Sequence, residues 1–178
     1  MIYTLWWTIK STCCMVFPVI LWSVSRVTHW SSNNHICKDK MINRYYQLAQ
    51  NVYEQISDLW TITGVGNPAR GDSLDVVQRT LEHGGVILVA YAEDLSIGTA
   101  WLTHDFRRLY IHHMAVHPLW QNHGIGKSLM QEAIQIAHEL GFQAKLEVHQ
   151  DNPAANKLYA NFGFEPLTGY TAMIKRDV

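Results

Sequence analysis

Apolar positions recur at two periods along the chain, and from residue 41 onward they predict helices and strands in alternation. Across 41–57, Ile42, Tyr45, Leu48, Ala49, Val52 and Ile56 fall at helical spacing, which predicts an amphipathic helix. Asn67-Pro68 and Gly71 mark the loop after it. Ser73 can cap a second helix carrying Leu74, Val77 and Leu81, which stops near Gly84-Gly85. Val86–Ala92 is an apolar run of strand length; Glu93-Asp94 breaks it and 97–103 resumes it around Gly98, the pattern of a hairpin. Residues 107–117 form the next strand, ended by Pro118. A helix over 127–140 carries Leu129, Met130, Ala133, Ile134, Ala137 and Leu140 on one side, with Gly141 as its stop. A short strand follows over 144–149. Asn152-Pro153 then opens a helix with Asn as cap and Pro at the first position, with Ala155, Leu158, Tyr159 and Phe162 on one face and Gly163 at the end. Tyr170, Ala172 and Ile174 alternate with Thr171, Met173 and Lys175, which predicts a closing strand. Strands and helices in this order predict an α/β (α+β) domain over 41–178 with a mixed sheet.

The most informative stretch is the turn between the fourth predicted strand and its helix, Gln121-Asn122-His123-Gly124-Ile125-Gly126-Lys127-Ser128. Two glycines in three positions let a bound group approach the backbone. The first amides of the following helix lack intrahelical partners and sit at the positive end of its dipole. Such a turn suits an anion, most often a phosphate. Several motifs compete for it. A dinucleotide fingerprint fits Gly124 and Gly126 but meets Leu129 at its third glycine, and a nucleotide P-loop fits Gly126-Lys127-Ser128 but places Gln121 at its first glycine. A Q/R-x-x-G-x-G/A pattern matches Gln121, Gly124 and Gly126. An ordinary strand-to-helix turn is open as well.

Composition narrows the field. With 178 residues and a net charge of −1, the chain has room for one sizeable core and no basic stripe for nucleic acid. Cys13, Cys14 and Cys37 all lie in the first forty residues, so the body of the protein suits a reducing, cytoplasmic setting without a disulfide framework. The segment 1–40 differs from the rest. It reads as a leader: an upstream extension with Met41 as the start, a disordered segment, or a signal-like stretch built on Lys10 and the apolar run 13–22. That run contains Pro18 and is too short to span a bilayer. No carboxylate partner joins the histidines at helical metal-ligand spacing, so no metal is expected.

Two stretches together carry a resemblance. The first is Tyr110-Ile111-His112-His113-Met114-Ala115-Val116-His117-Pro118 ahead of the glycine turn. The second is Leu146-Glu147-Val148 ahead of Asn152-Pro153-Ala154-Ala155-Asn156-Lys157-Leu158-Tyr159, ending in Gly163-Phe164. In this order the chain resembles the Gcn5-related N-acetyltransferase (GNAT) family over 41–178, although a first strand ahead of the predicted helix 41–57 is missing. The resemblance implies a mostly antiparallel central sheet splayed between two strands, with helices on both faces. It implies acetyl-coenzyme A as donor. The diphosphate is then expected on Gln121, Asn122, His123, Gly124, Ile125, Gly126, Lys127 and Ser128, and the pantetheine arm along Met114, Ala115 and Val116, with Asn152, Asn156 and Tyr159 as further contacts. The helices before Val86 are expected to line the acceptor side, for a small-molecule or peptide amine; a homodimer is compatible with all of this.

Acyl transfer to an amine needs a neutral nucleophile, a polarised carbonyl and a proton for the leaving sulfur. The resemblance makes Tyr159 the acid, with a core aromatic as its alternative. Glu147, on the strand beside the splay, is the candidate base acting through water. His112 and His113 are expected to alternate across their strand, so that only one faces the cleft. Trp60, Asp72, Trp101 and His104 are weaker candidates for the acceptor pocket. A non-catalytic acyl-coenzyme A-binding module is the competing class, with a nucleotide hydrolase behind it.

Overall fold

The computed structural model describes residues 41–67 and 71–175, all within the compact unit Cys37–Val178. The expected leader over 1–40, and Pro68 of the expected loop, lie outside the described residues. Five strands form one sheet in sequence order: β1 (Met41–Tyr45), β2 (Val86–Ala92), β3 (Leu95–His104), β4 (Arg108–Val116) and β5 (Gln143–Leu146). Neighbours are antiparallel except β4 and β5, which run parallel. The mixed, mostly antiparallel sheet expected from the element order is therefore what forms.

Helices α1 (Gln50–Thr63) and α2 (Leu74–Glu82) cover one face, where Ile56, Leu59, Trp60, Val77 and Leu81 pack on Ile87, Val89 and Trp101. Helix α3 (Ile125–Leu140) covers the other, packing Ile125, Leu129, Met130 and Ala133 on Leu88, Ala100, Leu102 and Leu109. Because β2 and β3 are buried on both faces, they read as continuous apolar runs rather than alternating ones. Helix α4 (Pro153–Ala160) follows β5, and its Tyr159 packs with Phe162 and Phe164 against the α3-side core.

The structure corrects several predicted boundaries. The expected helix 41–57 is a strand followed by a helix. Met41–Tyr45 pairs with β2 from Met41↔Tyr91 to Tyr45↔Ile87, and α1 continues six residues beyond Ser57, to Thr63. This is the first strand that the periodicity concealed. Its apolar residues fit the helical period by coincidence, while pairing with β2 satisfies their backbone. Ala49 caps α1 without a side-chain bond, so no residue there announced the true start. α3 begins at Ile125 rather than Lys127, with Ile136 in its buried face and Leu140 42% exposed. β5 ends at Leu146, not at 149. The expected closing strand pairs with no strand among the described residues, and Tyr170, Met173 and Ile174 are largely exposed. Alternation supplied local propensity there without naming a partner strand.

Ser73 does cap α2, accepting from the Val76 amide, and Gly141 closes α3 in the left-handed conformation. Among the described residues no helix is long and apolar enough to cross a membrane.

Candidate active site

The site begins where two strands part. β4 and β5 pair in parallel from Arg108↔Gln143 to Ile111↔Leu146 and no further. β4 runs on to Val116, while the chain after Leu146 turns away toward α4. Between them opens a cleft of about 740 Å3 lined by His112, His113, Met114, Glu147, Asn152 and Tyr159 among others. Over 112–116 the β4 edge has no β5 partner, so its amides and carbonyls are presented to the cleft.

On its other edge β4 carries a bulge. Trp101 pairs with His112 and Thr99 with Ala115, so two residues of β4, His113 and Met114, face one of β3. His113 takes a positive φ of 43°, a conformation that a non-glycine residue adopts at a cost. The bulge breaks the alternation of side chains. Ile111, Met114 and Val116 pack on the α3 side, whereas Ala115 packs on the α1 side. His112 and His113 both come near Trp101, with ring centroids 6.2 and 5.2 Å away. The expectation that only one histidine faces the cleft is thereby overturned: both line it. An inserted residue shifts every later side chain to the opposite face.

The glycine turn stands at the end of β4. A short 3-10 turn, Pro118–Trp120, is capped by His117. Gln121 Nε2 donates to the Val116 carbonyl at 3.3 Å, tying the turn to β4. Asn122 and Gly124 have φ of 63° and 80°, and His123 Nδ1 lies 2.7 Å from the Gln121 carbonyl oxygen. No side chain caps α3. The Ser128 amide and hydroxyl both donate to the Gly124 carbonyl, at 3.0 and 3.2 Å. The amides of Ile125, Gly126 and Lys127 precede the first intrahelical bond and point out of the helix end. The Ile125 side chain is 1% exposed, so only its backbone faces outward. This first turn sits tightly on the sheet, since a Cβ at Gly98 would stand 2.7 Å from Ile125 Cγ2.

The third wall is the β5–α4 turn. Asn152 Oδ1 accepts from the Ala155 amide at 3.1 Å, so Asn152 caps its own helix. Asn156 Nδ2 donates to the carbonyls of His149, Gln150 and Asn152 at 3.2, 3.3 and 2.9 Å; its amide braces the turn that carries Asn152. Tyr159 lines the cleft half-buried, and burial raises its pKa above the ordinary value. Glu147 is exposed, with Lys145 Nζ 3.8 Å away; that lysine also lies over the Tyr110 ring at 5.3 Å. His112 is open to the cleft yet surrounded by protein. Desolvation, then the neighbouring His113, lower its pKa, while Glu147 and Asp72 oppose the shift.

Of the acceptor-side candidates, Trp60, Asp72 and Trp101 converge on His113. Asp72 Oδ2 lies 3.0 Å from His113 Nε2, and the two indoles are stacked at 5.8 Å. His104 lies elsewhere, against Phe106 and Phe142. Sequence reasoning missed Thr99, which accepts from Trp60 Nε1 at 3.0 Å and donates to the His113 carbonyl at 3.4 Å. A threonine inside an apolar strand buried on both faces was the available signal. It also missed Gly64 and Val65 at the end of α1, which line the cleft and carry no local signal. Among the described residues no group of three or more His, Cys, Asp or Glu could hold a metal ion.

The profile of the Acetyltransferase (GNAT) family matches residues 49–164. Among solved structures, a GNAT-family acetyltransferase from Streptococcus pneumoniae TIGR4 is 25% identical, with a TM-score of 0.61 over 77% of this chain and 97% of its own. The ribosomal-protein-S18-alanine N-acetyltransferase from Escherichia coli is 19% identical, with a TM-score of 0.60 over 72% and 80%. AAC(6')-Iy, solved with the bisubstrate analog CoA-S-monomethyl-acetylneamine, is 17% identical, with a TM-score of 0.61 over 76% and 99%. No curated protein matches the chain. The family match spans well over half of the sequence and takes in both the glycine turn and the Asn152–Tyr159 helix, and the sheet has the shared fold: the chain belongs to the GNAT family of acetyltransferases and is an acyltransferase.

Proposed function

We propose that the protein is an acetyl-coenzyme A-dependent N-acetyltransferase that moves an acetyl group to a primary amine of a small molecule or peptide by direct attack in a ternary complex. The observation that carries this reading is the juxtaposition of an unpaired stretch of β4 with the open N-terminus of α3. An extended amide-bearing chain fits the first and an anion the second.

The donor set suits the substrate. Amides of Ile125, Gly126 and Lys127 present positive charge to a diphosphate. Gln121 and His123 shape the turn, and Asn122 and Gly124 supply its left-handed backbone. Ser128 stabilises the turn from within the helix. Met114, Ala115 and Val116 offer backbone partners to the pantetheine arm, with Asn152 and the brace Asn156 on the opposite wall. A backbone N–H of β4 polarises the thioester carbonyl.

The amine nitrogen then bonds the carbonyl carbon, and its proton is taken up by a basic side chain lining the cleft, directly or through water. The carbon–sulfur bond breaks, and the thiolate takes the Tyr159 proton. Tyr159 suits this role because its raised pKa keeps the phenol protonated at neutral pH. Glu147 stands at the solvent end of the cleft, where it passes protons to water. Holding both reactants in one cleft supplies much of the remaining acceleration. An aminoglycoside-derived analog and a ribosomal protein's alanine belong to two structural neighbours; they define the first amines to try. The absence of cysteine beyond Cys37 favours a reducing cytoplasmic setting.

The test is titration calorimetry with acetyl-coenzyme A, followed by thiol release over a panel of primary amines. Saturable binding and amine-dependent thiol release are expected. Binding without release from any amine would leave a non-catalytic module, and no binding at high micromolar ligand would reject the proposal.

A further inference from the structure

The bulge of β4 gathers polar and aromatic groups that neither hold a diphosphate nor protonate a sulfur. His113 lies at its centre. Its ring rests on Trp60 at 4.7 Å and Trp101 at 5.2 Å. Its carbonyl accepts from Thr99, which is fixed in turn by the Trp60 indole. Its Nε2 meets Asp72 Oδ2 at 3.0 Å, and the two side chains are only 15% and 11% exposed. Asp72 is itself held in place: the same oxygen accepts from the Asn67 amide at 2.6 Å, and its backbone carbonyl accepts from the Tyr53 hydroxyl at 2.7 Å.

Hydrogen-bond chemistry assigns the ring's protons. An ionised carboxylate only accepts, so Nε2 carries the hydrogen, and Nδ1 keeps its lone pair. No partner occupies Nδ1 among the described residues, and His113 lines the cleft. His112 differs. Its Nε2 faces the Thr103 hydroxyl at 2.9 Å, which can donate or accept, so neither tautomer is imposed. Glu147 differs too, being 79% exposed and close to Lys145. The bulge, by turning His113 off the regular alternation, brings the carboxylate-bound imidazole to the α1 side of the cleft.

We propose that His113, held by Asp72, is the general base of the transfer: Nδ1 takes the proton from the acceptor nitrogen as that nitrogen bonds the thioester carbonyl carbon, and Asp72 is a positioning residue that fixes the ring's tautomer and orientation. This rests on the acetyl-transfer reading above. In the balanced step the N–C bond forms and the N–H bond breaks to Nδ1. The C–S bond breaks, and the thiolate takes the Tyr159 proton. The imidazolium and the phenolate return to their starting forms by exchange with water, with Glu147 at the cleft mouth. The titratable and charged groups around His113 are Asp72 before α2, Tyr110 and His112 on β4, Lys145 on β5, Glu147 and His149 just beyond it, and Tyr159 on α4.

The test measures thiol release against pH for the full chain, with acetyl-coenzyme A and three amine probes: spermidine, an aminoglycoside, and a peptide with a free N-terminal alanine. His113→Gln is expected to bind acetyl-coenzyme A within about twofold of the parent, to lose about 100-fold in kcat, and to lose the acidic limb of the kcat/KM profile. Asp72→Asn is expected to keep part of the rate, with kcat falling while the KM for acetyl-coenzyme A changes by about twofold at most, since an amide at this position can donate as well as accept and no longer imposes the Nε2–H tautomer. Should His113→Gln fail to fold, nuclear magnetic resonance of histidine-labelled parent protein provides the second measurement: the His113 ring is expected to titrate in step with the acidic limb. A limb unchanged in His113→Gln, a His113 titration that does not follow it, or a limb erased by Glu147→Gln alone would each overturn the proposal. Parent protein that binds no acetyl-coenzyme A would instead reject the transfer reading on which it stands.

Discussion

Replacing Gly126 with aspartate separates the two things this position does. Gly126 is the second residue of α3, and a Cβ there would stand 3.3 Å from Leu158 Cδ2 and 3.8 Å from Val116 Cγ2. The nearest atom is the end of a flexible side chain, so a small shift of Leu158 accommodates the new carbon. The helix itself is helped. Glycine is among the poorest helix formers, and a carboxylate in the first turn interacts favourably with the dipole, by about 0.3–1 kcal/mol. Stability is therefore expected to hold or rise slightly, with Tm within about 2–4 °C of the parent. Ligand binding moves the other way. A carboxylate roughly 6 Å from a phosphate repels it by about 0.7 kcal/mol at the dielectric of water and about 3 kcal/mol at an effective value of 20. Affinity for acetyl-coenzyme A should fall between about threefold and 100-fold, and less at high salt. Calorimetry gives the affinity, and thermal unfolding without ligand gives the stability. Gly126→Ala serves as the steric control, with a smaller loss. Equal affinity in Gly126→Asp would remove the turn from the site, and a parallel collapse of Tm would show that the position is structural instead.

Tyr159→Phe is expected to lower kcat by about tenfold or more while the KM for acetyl-coenzyme A changes by about twofold at most; equal rates would reduce Tyr159 to packing. Because burial raises the Tyr159 pKa above its ordinary 10, the phenol keeps its proton up to that point, and an activity loss assigned to it should appear only above pH 10. The Arg44 guanidinium, bonded to Glu132 and Glu139 across β1 and α3, holds the Glu139 carboxyl below its ordinary 4.5, with Gln135 as the second cause. A lowered folded value contributes stability that is present above 4.5 and lost as pH falls through it. Between about pH 6 and pH 3, thermal unfolding should therefore fall further in the parent than in Arg44→Gln, and identical losses would exclude this linkage.

Much of the site was legible because its signals are local. Two glycines beside a helix start, an Asn-Pro cap, and a tyrosine two turns later are set by backbone conformation within a few residues. The cap and the tyrosine stand where the spacing put them, while the helix at the glycines starts two residues earlier than expected, at Ile125. Asn156 shows the limit of that logic. It belongs to the motif, yet its amide is spent on three carbonyls of its own turn, a pattern visible only once the turn is folded. The first strand shows another limit: 41–45 satisfied a helical period, and only the exposed edge of β2 decided that it pairs.

The sequence by itself determined the family, the order of elements from β2 to α4, and the turn whose amides stay open. These follow from φ preferences, caps and hydrophobic period, which act over a few residues. Tertiary structure alone decided that β4 bulges at His113, that β4 and β5 part after Ile111 and Leu146, and that Asp72, forty-one residues away in sequence, reaches the His113 ring. Those outcomes depend on which strands pair and in what register, and on a loop returning to a distant edge. No window of sequence contains both partners.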